Sequence, residues 1–336
     1  TVYAGGDFTL IGSEARHKIA RLDAVGEGDG TGRAIPAWDA GAGNTVHVLN
    51  AVDESGDEYL YAGGAFTTTN GVVRNNLAAL DIITGEATTW DPNADGTVYA
   101  LAMDAAGLTL FAGGMFANVS GTPASHIAAL DPTDDSNVFW ASSNVDNTVR
   151  TLALRPDDLL LYAGGDFTLI NGNTRNYIAA LNAGSGIVST TWDPNADAPV
   201  NAIAASNTVV YAGGEFTSIG GQSRDYLAAL NISGADTGWA VPADYPVHAL
   251  VLNSTFDRLY VGGEFTTIGG ESWNRLAVVN IALGTIEPWT DAGFNGSVEC
   301  LLLDETKETL WVGGNFVSPQ LRLAAVDLNS AQFGTL

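Results

Sequence analysis

Six residues that each follow a valine carry the side chains most able to do chemistry here: His47, Tyr99, Arg150, Asn201, His248 and Glu299. Two imidazoles, a guanidinium, a phenol and a carboxylate could relay protons or hold a metal ion if they met. The same polar set could also line a water-filled channel. No G-x-S-x-G turn, H-E-x-x-H pair, phosphate loop or Cys/His zinc spacing accompanies them, so no reaction class is singled out.

A second pattern concerns calcium. Asp91, Asn93, Asp95 and Gly96 fit D-x-N-x-D-G, the opening of a calcium loop, in which alternate oxygens wrap a hard cation. The twelfth position, where a bidentate acid belongs, is Ala102. Asp193, Asn195 and Asp197 repeat the pattern without the glycine, and the other equivalent stretches do not fit. Hydrogen-bonded Asx turns explain the same letters. Calcium is thus the one cofactor with any ligand set in the sequence. Trp273, which replaces an arginine in a repeated loop, stands as an exposed aromatic able to stack on a sugar ring or a partner surface.

These residues sit on a repeated frame. A Gly-Gly pair recurs at Gly5, Gly63, Gly113, Gly164, Gly213, Gly262 and Gly313, with spacings of 58, 50, 51, 49, 49 and 51 residues. A phenylalanine follows each pair: Phe8, Phe66, Phe116, Phe167, Phe216, Phe265 and Phe316. An apolar run ending in Asp or Asn comes next, then Trp38, Trp90, Trp140, Trp192, Trp239 or Trp289; Leu336 holds that place in the seventh unit. Repetition at this period marks a fold built from stacked supersecondary units.

Each unit reads as four short strands. In the third these are residues 97–103, 109–114, 126–130 and 138–140, separated by Gly, Asn, Asp and Pro. No segment holds a helical period. The expectation is an all-β fold: a seven-bladed β-propeller of four-stranded antiparallel blades in one domain, 1–336. The units fall at approximately 1–44, 45–96, 97–146, 147–198, 199–245, 246–296 and 297–336. Small residues suit the crowded inner strands, and tryptophan fills the widening outer gap. The six residues named first would then ring one end of the central channel. The first blade lacks its innermost strand, so either the chain is part of a longer polypeptide or a neighbour donates the strand.

The pattern GGxFTxxxGxxRxxLAALDxxTGxxxxWDPNADGxVxAL, kept best at residues 63–101 and 164–203, resembles the bacterial delta-sixty propeller repeats, and more distantly kelch repeats. That resemblance spans essentially the whole chain. It implies an extracellular or cell-surface propeller, often beside other domains, with no established reaction.

Composition narrows the partners. The formal net charge is −25, and Lys18 and Lys307 are the only lysines. Such a surface repels phosphate backbones and anionic membranes, so nucleic acid is disfavoured as a partner. No stretch is long and apolar enough to insert into a membrane as a helix. Cys300, the only cysteine, aligns with Ala100 on an inner strand and is expected to be a small buried residue. Arg16, Arg74, Arg175 and Arg224 are expected to hold neighbouring loops through carbonyl or carboxylate bonds. Three functions follow. The first is a non-catalytic scaffold binding a protein or polysaccharide on its loop face. The second is a carbohydrate-active lyase or hydrolase at the channel mouth. The third is a structural subunit of a surface assembly.

Overall fold

The computed structural model describes residues 1–11, 14–23, 34–52, 59–157, 159–289, 293–318 and 322–329. Leu336 lies outside them. The described residues form 34 strands and no helix, and every strand pairing is antiparallel. The architecture is an all-β repeat of small twisted sheets, compatible with a β-propeller.

The unit is seen best in residues 97–146. Val98–Met103 is the inner strand, Leu110–Gly114 the second, Ile127–Leu130 the third and Val138–Ala141 the fourth. The second strand is buried throughout, because sheets cover it on both faces. Its run Leu-Phe-Ala-Gly-Gly therefore shows no apolar–polar alternation.

Among the described residues a regular four-stranded sheet recurs only in the sixth unit. In the second, fourth and fifth units the expected fourth strand shrinks to a single bridge: Leu80 with Ala87, Leu181 with Val188 and Leu230 with Asp236. The third strand ends in an Asp or Asn whose side chain caps a tight turn; Asp81 accepts the N–H groups of Ile83 and Thr84. The chain then turns inward to bury its tryptophan. That ring serves the next unit as well: the indole N–H groups of Trp90, Trp140, Trp192 and Trp239 donate to the carbonyls of Asp131, Ala183, Asn231 and Ile281.

The core accordingly lies between units. Tyr61, Leu77 and Trp90 of the second unit pack with Val98, Leu110 and Phe116 of the third, and each following pair of units repeats the arrangement. A further cluster joins Val2, Ala20, Leu22 and Ala34 of the first unit to Trp311 and Ala325 of the last.

The glycine pairs allow this close approach. A Cβ on Gly213 would lie 2.5 Å from Cγ1 of Val247 in the next unit, and one on Gly214 only 2.2 Å from the carbonyl oxygen of Pro199. The first glycine seats the neighbour's valine, and the second lets the inner strand bend past it.

Candidate functional site

That bend creates the site. Opposite each glycine pair the inner strand carries one extra residue, where the register shifts between Val46 and Val48, Val98 and Ala100, Val149 and Thr151, Val200 and Ala202, Val247 and Ala249, and Val298 and Cys300. The unpaired residues are His47, Tyr99, Arg150, Asn201, His248 and Glu299. A bulge leaves a residue out of the ladder and re-aims its side chain. Six successive units thus present a variable side chain at one structural position.

Several of these meet. The rings of His47 and Tyr99 are 4.8 Å apart at 50°. Arg150 donates through Nη1 to Asn201 Oδ1 at 2.8 Å, and the Asn201 amide lies 3.4 Å from His248 Nδ1. Glu299 accepts from the hydroxyl of Ser297, just before its own strand. His47 is exposed to solvent, yet the protein around it holds its imidazole below the usual value through desolvation.

A second repeated set of residues emerges only in three dimensions. In several of these six units the residue directly after the glycine pair meets the bulged side chain. Asp166 grips Arg150 with both oxygens, at 3.0 Å from Nε and 2.8 Å from Nη2. Glu215 lies 3.3 Å from the same guanidinium, and Glu264 lies 3.4 Å from His248 Nε2. The result is a continuous polar chain: Asp166, Arg150, Asn201, His248, Glu264. The acidic residues at these post-glycine positions were a sequence signal, but only the bulge shows what they face.

A third repeated position is strained. Lys18, Asn76, His126, Tyr177, Tyr226, Arg275 and Arg322 all take φ between 61° and 70°, a region costing roughly 1–2 kcal/mol for a non-glycine residue. Each is clamped by two backbone bonds. The Tyr226 N–H, for example, donates to Phe216, and its carbonyl accepts from Gly214. Lys18 reaches from this position to pair with Asp7, the post-glycine residue of the first unit.

The calcium-type loops use their oxygens within the fold. Asp95 accepts the N–H groups of Ala117 and Asn118 at 2.7 and 2.9 Å, and Asp197 does the same for Thr217 and Ser218. Burial opposes the ionisation of both, but these bonds outweigh it and hold their carboxyls below the usual range. Asn93 and Asn195 accept from Asn75 and Asn176. Asp91 lies 3.6 Å from Arg74, and Asp193 lies 3.4 Å from Arg175. Among the described residues no three His, Cys, Asp or Glu side chains gather as a metal site requires.

The repeated arginines hold loops as anticipated. Arg175 donates to the carbonyls of Thr174 and Ser189, both at 2.7 Å, and Arg224 forms a two-pronged pair with Asp236. Two expectations of exposure and burial are reversed. Trp273 is only 8 % exposed; it packs among Val241, Phe265 and Ile268, with its indole N–H toward Glu271. In place of arginine it fills the loop's interior with apolar surface. Cys300 is exposed rather than buried. Desolvation by the protein around it still pushes its thiol up.

Fold and site together define an all-β repeat protein that displays variable polar side chains on a constant frame. No protein-family model matches the chain, and no curated protein matches its sequence.

Proposed function

We propose that the seven units close into one seven-bladed β-propeller that acts as a non-catalytic extracellular or cell-surface scaffold. Its partner, a polysaccharide or a protein, docks on the rim formed by the bulged residues. The observation carrying this reading is the repeated bulge. The frame residues are held constant, while the six unpaired positions differ in charge, size and hydrogen-bonding character. Variable groups on an invariant frame suit recognition, where a few placed polar groups fix specificity. Ring closure is supported by the shared core of the first and last units, in which Val2, Leu22 and Trp311 take part.

Arg150 supports binding over catalysis. Two carboxylates and the Asn201 amide oxygen hold it, so it is pre-ordered to present the N–H left on Nη2 to a hydroxyl or carboxylate group. A second reading, a polysaccharide lyase or hydrolase, draws on the His248–Glu264 contact at the same rim. One experiment separates the two. The protein is assayed against a panel of soluble polysaccharides for binding and for new reducing or unsaturated ends. The scaffold reading expects binding that Arg150→Ala weakens by about tenfold, with no new ends. Chain cleavage lost in His248→Ala would favour the enzyme. Binding indifferent to both substitutions would remove the rim from the account.

A further inference from the structure

The seam between the first and last units carries the imprint of a strand that the described residues do not supply. Six times, a Cβ on the second glycine of a pair would strike an inner-strand carbonyl at 2.1–2.3 Å; at Gly6 it would meet, among the described residues, only the Phe8 ring, at 3.2 Å. Six times, the first glycine seats a valine of the next unit at 2.5–2.8 Å. At Gly313 a Cβ would meet, among the described residues, only Cys300 Sγ and the Arg322 carbonyl oxygen.

Exposure tells the same story on both walls. Phe8 is partly exposed, whereas its six equivalents are 0 % exposed. Ala100, Ala202 and Ala249 are 6–7 % exposed, covered by the next inner strand, but the equivalent Cys300 is exposed. Leu302 is 50 % exposed where Ala204 is 8 %. Among the described residues the first unit's main sheet holds two strands, Val2–Gly5 and Ile19–Leu22.

We propose that this seam is a docking groove for one β-strand having the inner-strand chemistry of this chain. Its valine sits over Gly313, its preceding carbonyl over Gly6, and its apolar side chains cover Cys300 and Leu302. The strand runs antiparallel to Val2–Gly5, so its C-terminal end lies beside Val2. The three-residue connection between Val200–Ala205 and Val209–Gly214 shows that a short hairpin bridges such a gap. A strand joined to Thr1 by such a hairpin can therefore enter the groove, and its occupant is defined by chemistry: a valine followed by apolar side chains at alternate positions. Adding a strand to a sheet edge gains main-chain bonds, and pockets for alternate side chains give selectivity. The inference rests on the ring reading above.

The test places residues 199–208 of this chain, PVNAIAASNT, ahead of Thr1, recreating the run that precedes Val209. A scrambled extension is the control. Maleimide labelling of Cys300 is the readout, with the same ten-residue peptide added free to the unextended chain as a second arm. Labelling should slow by about tenfold or more in the extended protein, and saturably with free peptide, as covering a buried side chain supports. Equal labelling with native and scrambled sequences in both arms would overturn the proposal. Protection of the unextended chain that grows with its own concentration would assign the groove to a second copy instead. Small-angle scattering on the same samples keeps the two readings apart: an elongated rather than ring-shaped particle would sink the ring, whatever the labelling shows.

Discussion

The two glycines Gly214 and Gly6 occupy the same place in their units but face different surroundings, and replacing each by alanine should give opposite results. At Gly214 the new Cβ would lie 2.2 Å from the Pro199 carbonyl oxygen and 3.0 Å from the Val200 Cα, both backbone atoms. Ordinary contact begins near 3.4 Å, so the inner strand would have to retreat by about an ångström. That movement strains the bond from the Glu215 N–H to the Pro199 carbonyl, now 2.9 Å, and opens the bulge that presents Asn201. Overpacking of about 1–3 kcal/mol together with a weakened hydrogen bond of about 1 kcal/mol gives a loss of roughly 3 kcal/mol. At Gly6 the only neighbour among the described residues is the Phe8 ring at 3.2 Å, which can rotate aside. Neither glycine has a positive φ, so alanine also restricts the unfolded chain, a gain of roughly 0.4–1 kcal/mol. Gly6→Ala should therefore be neutral or slightly stabilising. Guanidinium unfolding followed by tryptophan fluorescence measures both. Equal losses in the two variants would refute the packing argument, as would a larger loss at Gly6.

Other consequences can be measured on the same protein. Trp273→Ala should cost about 3–5 kcal/mol in the same unfolding assay and leave polysaccharide binding unchanged, because the ring is core and not rim. Asp95, Asp146, Asp197 and Asp244 have carboxyls held below the usual range. Their contribution to stability is present above the unfolded value near 3.9 and is lost as pH falls through the folded values. Asp197→Asn keeps an acceptor for the two N–H groups and should show a smaller loss of stability between pH 5 and pH 2, in a chemical-denaturation series at about those values. Burial pushes the phenols of Tyr61 and Tyr211 up to about 12. Stability should accordingly decline as pH rises from about 10 toward that value, with phenolate absorbance at these two residues appearing only at its upper end.

The repeat, the β character and the identity of the variable positions were legible in the sequence, because glycine pairs, phenylalanines and tryptophans at one period admit few packings. The valine before each variable residue was visible too, though not its task of filling the pocket over the preceding unit's glycine. What the sequence hid were matters of register. A bulge has no letter of its own, so the partnership of Arg150 with Asp166 and of His248 with Glu264 could not be read from residues sixteen apart. The fourth strand was overestimated, because a short polar run before tryptophan looks alike whether it pairs or turns. Trp273 misled for a related reason: an arginine whose guanidinium lies within a loop interior can be replaced by an aromatic ring that also lies inward. Cys300 misled because its alignment with Ala100 carries no information about whether a neighbouring strand covers it.

A seven-unit ring whose rim faces a partner requires that the first and last units close on each other. A double-mutant cycle across the seam tests it: Leu22→Ala in the first unit, Trp311→Ala in the last, and the two combined, each measured by guanidinium unfolding. The two side chains share one buried cluster. Closure predicts a coupling energy of about 1 kcal/mol or more between them. Losses that simply add, within about 0.5 kcal/mol, would mean the first and last units do not pack together in solution, and the ring would fall with that result.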